Sequence, residues 1–117
     1  MSCFQSIEEM REKCICLNLR PVTRLMTRRY DEAYASTALR STQVPILFFL
    51  MLNGETQMDA LGDEMAMDKS TLSRNFRLLE ARGLVSRSDI DGRTVGASIT
   101  AAGQAALEPV CDIWRDI

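Results

Sequence analysis

Apolar residues recur at helical spacing along most of this chain, and the breaks in that pattern mark out the elements. Ile7, Met10, Cys14 and Leu17 share one helical stripe, which Val22, Leu25, Met26, Tyr30 and Ala33 resume. Ser6 to Glu9 has the form of a capping box, with Ser6 as N-cap and Glu9 reaching back. Pro21 lies between the two runs and cannot donate to the Leu17 carbonyl, so a kink or restart is expected there. Ala38 to Ser41 reads as a short connection. Thr42 is then the expected N-cap of a helix to about Leu52, with Pro45 tolerated in its first turn. That helix is apolar almost all round, from Val44 and Ile46 through Leu52, which predicts the buried centre of the domain. Asn53-Gly54 stops it.

The next stretch carries the functional signal. Thr56-Gln57-Met58 suits a very short strand, and Asp59 to Met67 a helix with Leu61 and Met65 inward. Gly62 weakens that helix by about 1 kcal/mol relative to alanine, a cost expected where two helices approach closely. Asp68 caps a second helix and Gly83 ends it. At about 100° per residue, Leu72, Phe76 and Leu79 fall on one side of it, and Ser70, Arg74 and Arg77 on the other. A helix split in this way buries its first face and offers the second to a partner rich in acceptors and negative charge. Duplex DNA fits that description, and the pair of helices reads as a helix-turn-helix. Two strand-like flanks, 84–88 and 94–99, then enclose a turn at Asp91-Gly92, which predicts a β-hairpin wing. Thr100 caps a last helix running through Trp114, with a bend expected at Pro109. The predicted fold is mainly α with a small β-hairpin wing.

Charge sharpens this picture. The whole chain carries only −2, but residues 69–93 hold six cations against three acids, a local +3. Residues 55–68 hold five acids and no base. Since binding to a polyanion follows the local field, the acidic total does not argue against it. Histidine is absent, which removes the commonest general base, most metal sites and any Ser-His or Cys-His nucleophile. The chain is therefore read as a non-enzyme with no cofactor or metal. The longest apolar run, Val44 to Leu52, is too short to cross a membrane, and the charged start MSCFQSIEEMREK lacks a signal-peptide core. Cytoplasmic residence is expected, and there the four cysteines are reduced thiols by default.

MDKSTLSRNFRLLEARGLV, followed by the wing DGR and then SITAAG, closely resembles the MarR family of winged helix-turn-helix regulators. CICLNLR, TRRYDEA, LRSTQ and the late LEPVCDIW resemble one branch of it, so the likeness spans nearly the whole chain. It implies one domain over 1–117, with a winged lobe at 42–100 and dimerisation helices at 7–35 and 101–117. It further implies a cytoplasmic homodimer on a pseudo-palindromic double-stranded operator. That dimer acts as a repressor and is released by a small aromatic or anionic effector. Carried over, the helix from Lys69 enters the major groove, with Ser70, Thr71, Ser73, Arg74 and Arg77 nearest bases and phosphates. Arg93 at the wing tip reaches the minor groove, and Asp91 holds the wing in shape. Lys69, at the start of that helix, is a further DNA-contact candidate, though it and Arg82 read more readily as ordinary surface charges. Arg20 and Arg24, with Tyr30, are candidates for an effector pocket; the alternative is a solvated face. Many relatives carry a second wing arginine where this chain has Val95-Gly96, which predicts weaker minor-groove binding. Relatives also continue beyond the tryptophan. The stop at Ile117 implies either a dimer leaning harder on the N-terminal helix or a fragment with weakened pairing. A winged helix that docks protein and not DNA is the competing reading.

Cys14 and Cys16 point about 200° apart on a helix, so they cannot easily chelate one ion together. At least one of them reads as a small buried apolar residue. The resemblance suggests a second role, in which an N-terminal cysteine is oxidised and bridges to Cys111 of the partner subunit, as in the family's peroxide-sensing branch. Arg11 and Lys13 nearby favour a thiolate. The recognition-helix sequence departs from that branch.

Overall fold

The computed structural model describes residues 1–117. Six helices and a three-stranded sheet follow in the order α1 (Cys3–Lys13), α2 (Ile15–Ala33), a 3-10 turn (Ala35–Thr37), α3 (Val44–Asn53), β1 (Thr56–Gln57), α4 (Met58–Met65), α5 (Lys69–Ala81), β2 (Val85–Asp89), β3 (Val95–Ile99) and α6 (Ala101–Arg115). This is the mainly α winged helix expected. The sheet order is β1-β3-β2, antiparallel throughout, with Thr56 opposite Ala97 and Arg87 also opposite Ala97 on the other side. The short strand at Thr56 thus closes the inner edge of the hairpin.

The N-terminal third departs from the sequence pattern. The capping box is one turn earlier, at Ser2: its hydroxyl accepts from the Gln5 amide at 3.2 Å, and the Gln5 side chain accepts from the Ser2 amide at 2.8 Å. Ser6 is already inside the helix. The break falls at Cys14, where α1 ends and α2 begins, and α2 runs on through Pro21, the expected place of a kink or restart. Cys14 has extended backbone (φ −77°, ψ 112°), and the Asn18 side-chain amide donates to the Arg11 and Cys14 carbonyls at 3.1 and 2.8 Å. Asn18 therefore serves carbonyls at the break, which stabilises it. Pro21 leaves only the Leu17 carbonyl without its donor, and both residues are exposed, so water takes that place at little cost.

Around α3 the entry also differs. Gln43, not Thr42, is the N-cap, and its side chain accepts from the Arg40 amide at 3.1 Å instead of capping the helix. The turn already directs the Gln43 and Val44 amides to the Arg40 carbonyl, so a hydroxyl cap has little left to satisfy. Val44, Ile46, Leu47 and Leu50 are buried, but Phe48, Met51 and Leu52 are exposed, Leu52 by 84%. The central helix buries one side only. Gly62 bears out the close approach expected of it: a β-carbon there would lie 3.2 Å from Leu72 Cδ2.

The core joins α3, α4, α5 and α6 around Phe76, Ile46, Leu47, Leu50, Leu61, Leu79, Leu107 and Val110, all fully enclosed. Gly103 lets α6 dock on it. A β-carbon there would drive into the Leu84 carbonyl and lie 2.7 Å from Ile99 Cγ1. Thr100 caps α6 as predicted, accepting from the Gly103 amide at 3.0 Å. No residue of α1 or α2 is buried. Phe4, Ile7, Met10, Ile15, Leu19, Val22 and Leu25 are each more than half exposed. The radius of gyration, 17.8 Å, exceeds the roughly 13 Å of a compact domain of this length, as two projecting helices require.

Candidate nucleic-acid interface

Helix α5 is built to present one face. Asp68 at its N-cap accepts from the Thr71 amide at 2.7 Å, and the Ser70 hydroxyl donates to the same carboxylate oxygen at 2.9 Å. One free donor of the first turn is thus satisfied, and the start of the helix is set. Leu72, Phe76 and Leu79 are buried, while Ser70, Arg74 and Arg77 are exposed, as the spacing predicts. Thr71 and Ser73 are half-buried at the edges of that face. Arg77 donates to the Ser73 hydroxyl at 2.9 Å, which lays its guanidinium along the helix. Ser70, Arg74, Arg77 and Leu78 line one concavity.

Leu78 was legible only by its angle: it lies one turn beyond Arg74, and an apolar type there reads as core. It is 52% exposed instead, beside the arginines. The ion pairs of the chain are Lys13–Glu9, Arg40–Asp31, Arg87–Glu80 and Arg115–Asp112. Lys69, Arg74, Arg77 and Arg93 are in none of them. The outward face of α5 and the wing tip therefore make no ion pair within the chain, which suits a polyanion.

The wing is shaped by two aspartates. Asp89 accepts from the Gly92 amide at 2.6 Å, and Asp91 from the Arg93 and Thr94 amides at 3.1 and 2.9 Å. Gly92 takes the left-handed φ of 83° that the turn needs. Asp91 thus holds the backbone at Arg93 and leaves the guanidinium free. Val95-Gly96, where relatives carry a second arginine, also has a local reason. Gly96 is buried, and a β-carbon there would lie 2.6 Å from Ser88 Oγ and 2.9 Å from Ile90 Cγ1. A side chain at 96 would require Ser88 and Ile90 to move.

Two further arginines, both missed by sequence reasoning, tie the motif together. Arg87 on β2 bonds both carboxylate oxygens of Glu80 at 3.2 and 3.0 Å and stacks over Phe76, 5.1 Å from the ring centre. It fastens the wing to α5. Arg82, read as a surface charge, donates to the Ala38 carbonyl at 2.7 Å. Neither partner is visible locally, because each lies on another element.

Asp68 and Asp91 both titrate below the usual carboxylate range. For Asp68 the cause is first the Thr71 amide, then the Ser70 hydroxyl; for Asp91 it is first the Arg93 amide, then Thr94. A carboxylate with a lowered folded pKa contributes order that is present above its unfolded pKa. That order is lost as pH falls through the folded value. Amide-exchange protection at Thr71, Arg93 and Thr94 should therefore hold at neutral pH and fall away below about pH 4. Unchanged protection at pH 2 would refute this.

The other predicted sites separate. Arg20 and Arg24 line a shallow groove on α2 with Ile15, Cys16, Leu19 and Thr23, and Arg20 Nε lies 3.4 Å from Cys16 Sγ. Tyr30 is not in that groove; it is half-buried against Tyr34, with ring centres 5.8 Å apart. All four cysteines are free thiols. Cys14 and Cys111 are half-buried and line different concavities, Cys14 with Met10 and Lys13, Cys111 with Met51 and Leu107. Neither Cys14 nor Cys16 is buried as expected: Cys16 is exposed and Cys14 only partly enclosed, because α1 and α2 bury no residue against the lobe.

Comparison with known proteins agrees with this geometry. The family model described as the MarR family matches residues 39–94, which hold α3, the helix-turn-helix and the first strand and turn of the wing. The crystal structure of the Mycobacterium tuberculosis transcriptional regulator MosR in complex with DNA is 30% identical. It superposes with a TM-score of 0.79 over 89% of this chain and 77% of that one. A probable transcriptional regulator from Pseudomonas aeruginosa is 32% identical, with a TM-score of 0.73 over 90% of this chain and 80% of that one. The organic hydroperoxide resistance transcriptional regulator of Bacillus subtilis (strain 168) is 27% identical over 104 residues, covering 87% of this chain and 71% of that one. With the fold, the helix-turn-helix and these relatives in agreement, the chain belongs to the MarR family of transcriptional regulators.

Proposed function

We propose that this chain is a cytoplasmic, dimeric repressor that binds a pseudo-palindromic DNA operator and is released by a small ligand. The observation that carries the DNA reading is the unpaired charge of Arg74 and Arg77 on the outward face of α5, with Lys69 in its first turn and Arg93 at the wing tip. Arginines on α5 read guanine edges, hydroxyls of Ser70, Thr71 and Ser73 set the phosphate register, and Arg93 enters the minor groove. MosR, the similar M. tuberculosis regulator, is bound to DNA in its crystal structure. The exposed apolar faces of α1 and α2, with Trp114 on α6, are the dimerisation surface. Arg20 and Arg24 on α2 are the anchors for an aromatic or anionic effector. A ligand there releases DNA only by binding the DNA-incompetent lobe spacing better than the competent one.

A second reading, thiol-based release through Cys14 or Cys16 with Cys111 of the partner subunit, is favoured by one contact. Arg20 donates toward the exposed Cys16 thiol at 3.4 Å, a cation beside an accessible sulfur. Intact-mass measurement after peroxide treatment, with Cys111→Ser beside the wild type, separates the two readings. A covalent dimer in the wild type alone supports the switch.

The test of the main reading is sedimentation and fluorescence anisotropy with duplex from the upstream region of the chain's own gene, across salt concentrations. Four free cations per lobe and two lobes predict that log K falls with log salt at a slope of magnitude up to about 7. A salt-insensitive monomer with no DNA affinity would favour a protein-docking winged helix.

A further inference from the structure

The segment between α2 and α3 joins the projecting helices to the winged lobe, and several hydrogen bonds shape it. The Thr37 hydroxyl donates to the Tyr34 carbonyl at 2.7 Å and accepts from the Leu39 amide at 3.1 Å. Asp31 on α2 accepts from the Ser41 amide at 2.7 Å. Between them Ala38 has a φ of 58°, left-handed backbone that a residue with a β-carbon adopts only when its surroundings hold it. Those bonds tie the segment to itself and to α2. A different one ties it to the reading helix: Arg82, the C-cap of α5, donates to the Ala38 carbonyl at 2.7 Å across 44 positions of sequence.

We propose that Arg82 is a positioning residue that sets the angle of the winged lobe on α2, and so the spacing of the two reading helices in the dimer. The proposal rests on the reading above, in which a dimer binds two half-sites. The mechanics follow from where the bond sits. Helix α5 is packed into the lobe core through Leu72, Phe76 and Leu79, so it moves with the lobe. Helix α2 buries no residue of its own, but Tyr30 near its end packs against the lobe core and Tyr34 and Leu39, flanking Ala38, are buried in that core, so the lobe's orientation on α2 depends on this junction. Arg82 joins the two bodies at the hinge. It lies 12 positions beyond Ser70, about 18 Å along the helix, so it acts on the operator through Ala38 and not by touching bases. Without the guanidinium each lobe samples more orientations, and the full operator must restrict them on binding. A single half-site makes no such demand.

The experiment uses duplexes selected from a randomised pool by the wild-type protein. Affinities are measured for the selected full site, for the same site with its half-sites moved apart by one or two base pairs, and for one half-site alone. Arg82→Ala should keep half-site affinity within about twofold. On the full site the loss, about threefold per lobe and present twice, should reach about tenfold, and the dependence on spacing should flatten. Arg82→Lys, whose ammonium reaches the same carbonyl, should recover most of the preference. Ala38→Gly, which fits the left-handed backbone and frees the same hinge without altering α5, should flatten it too. An equal loss on half-site and full site in Arg82→Ala would overturn the proposal in favour of a phosphate contact or general destabilisation. Unchanged spacing preference in both variants would overturn it as well. If the wild type selects no duplex at all, the DNA reading itself falls and takes this one with it. Unchanged spacing on a selected duplex removes the hinge role alone.

Discussion

Phe76→Ala should lower the free energy of unfolding by about 3–5 kcal/mol, the usual cost of emptying a buried aromatic site. Phe76 is fully enclosed at the middle of α5, on the stripe it shares with Leu72 and Leu79. Its ring is also the surface on which Arg87 stacks at 5.1 Å, so the wing loses a support in the same stroke. Against a total stability of about 5–15 kcal/mol for an ordinary domain, that is a large share. Urea denaturation at one fixed protein concentration measures it; the concentration must be fixed because the proposed dimerisation would add to apparent stability. A loss below about 1 kcal/mol would mean that the core collapses readily around the vacancy and does not depend on this ring.

Arg74→Ala should have the opposite profile, with stability almost unchanged and DNA affinity sharply reduced. Its side chain is exposed and in none of the ion pairs, so the folded chain loses little beyond about 0.5 kcal/mol. An arginine that reads a base contributes about 1–3 kcal/mol to binding. The proposed dimer would carry two copies, so the operator complex should weaken by a factor between about thirty and about twenty thousand. Anisotropy on the selected operator, with a parallel thermal melt, separates the two effects. The salt slope adds a distinction. If Arg74 contacts phosphate, the slope should fall by about 2 per dimer; if it reads a base, discrimination at one operator position should relax instead. Operator affinity intact in Arg74→Ala would remove this residue from the interface.

The winged lobe was legible because its signals are local. Asp68 and Thr100 cap helices by bonding an amide three positions on, so a short window contains both partners. The two faces of α5 follow from helical geometry and the solvation of arginine and leucine, which tertiary contacts did not overturn. The hairpin turn needed left-handed backbone, and Gly92 supplied it. The N-terminal helices were read less well, since two capping boxes compete there and the break at Cys14 is stabilised by a side chain four residues later. Proline is the louder signal, but a solvated Leu17 carbonyl removes most of its cost.

By itself, then, the sequence determined which segments are helix or hairpin, which face of α5 is polar, and where positive charge gathers. These depend on residues within one or two turns of each other. Tertiary structure decided the rest. Arg82 became a hinge bond and Arg87 a brace, because their partners Ala38, Phe76 and Glu80 sit on other elements. The crowding at Gly96 comes from Ser88 and Ile90, which lie on the hairpin's other side. The apolar stripe of α3 divided into buried and exposed sides, and those of α1 and α2 stayed exposed, because one lobe offers too little surface to cover them all. Periodicity marks a face as apolar; only packing decides whether the chain's own core or another molecule will cover it.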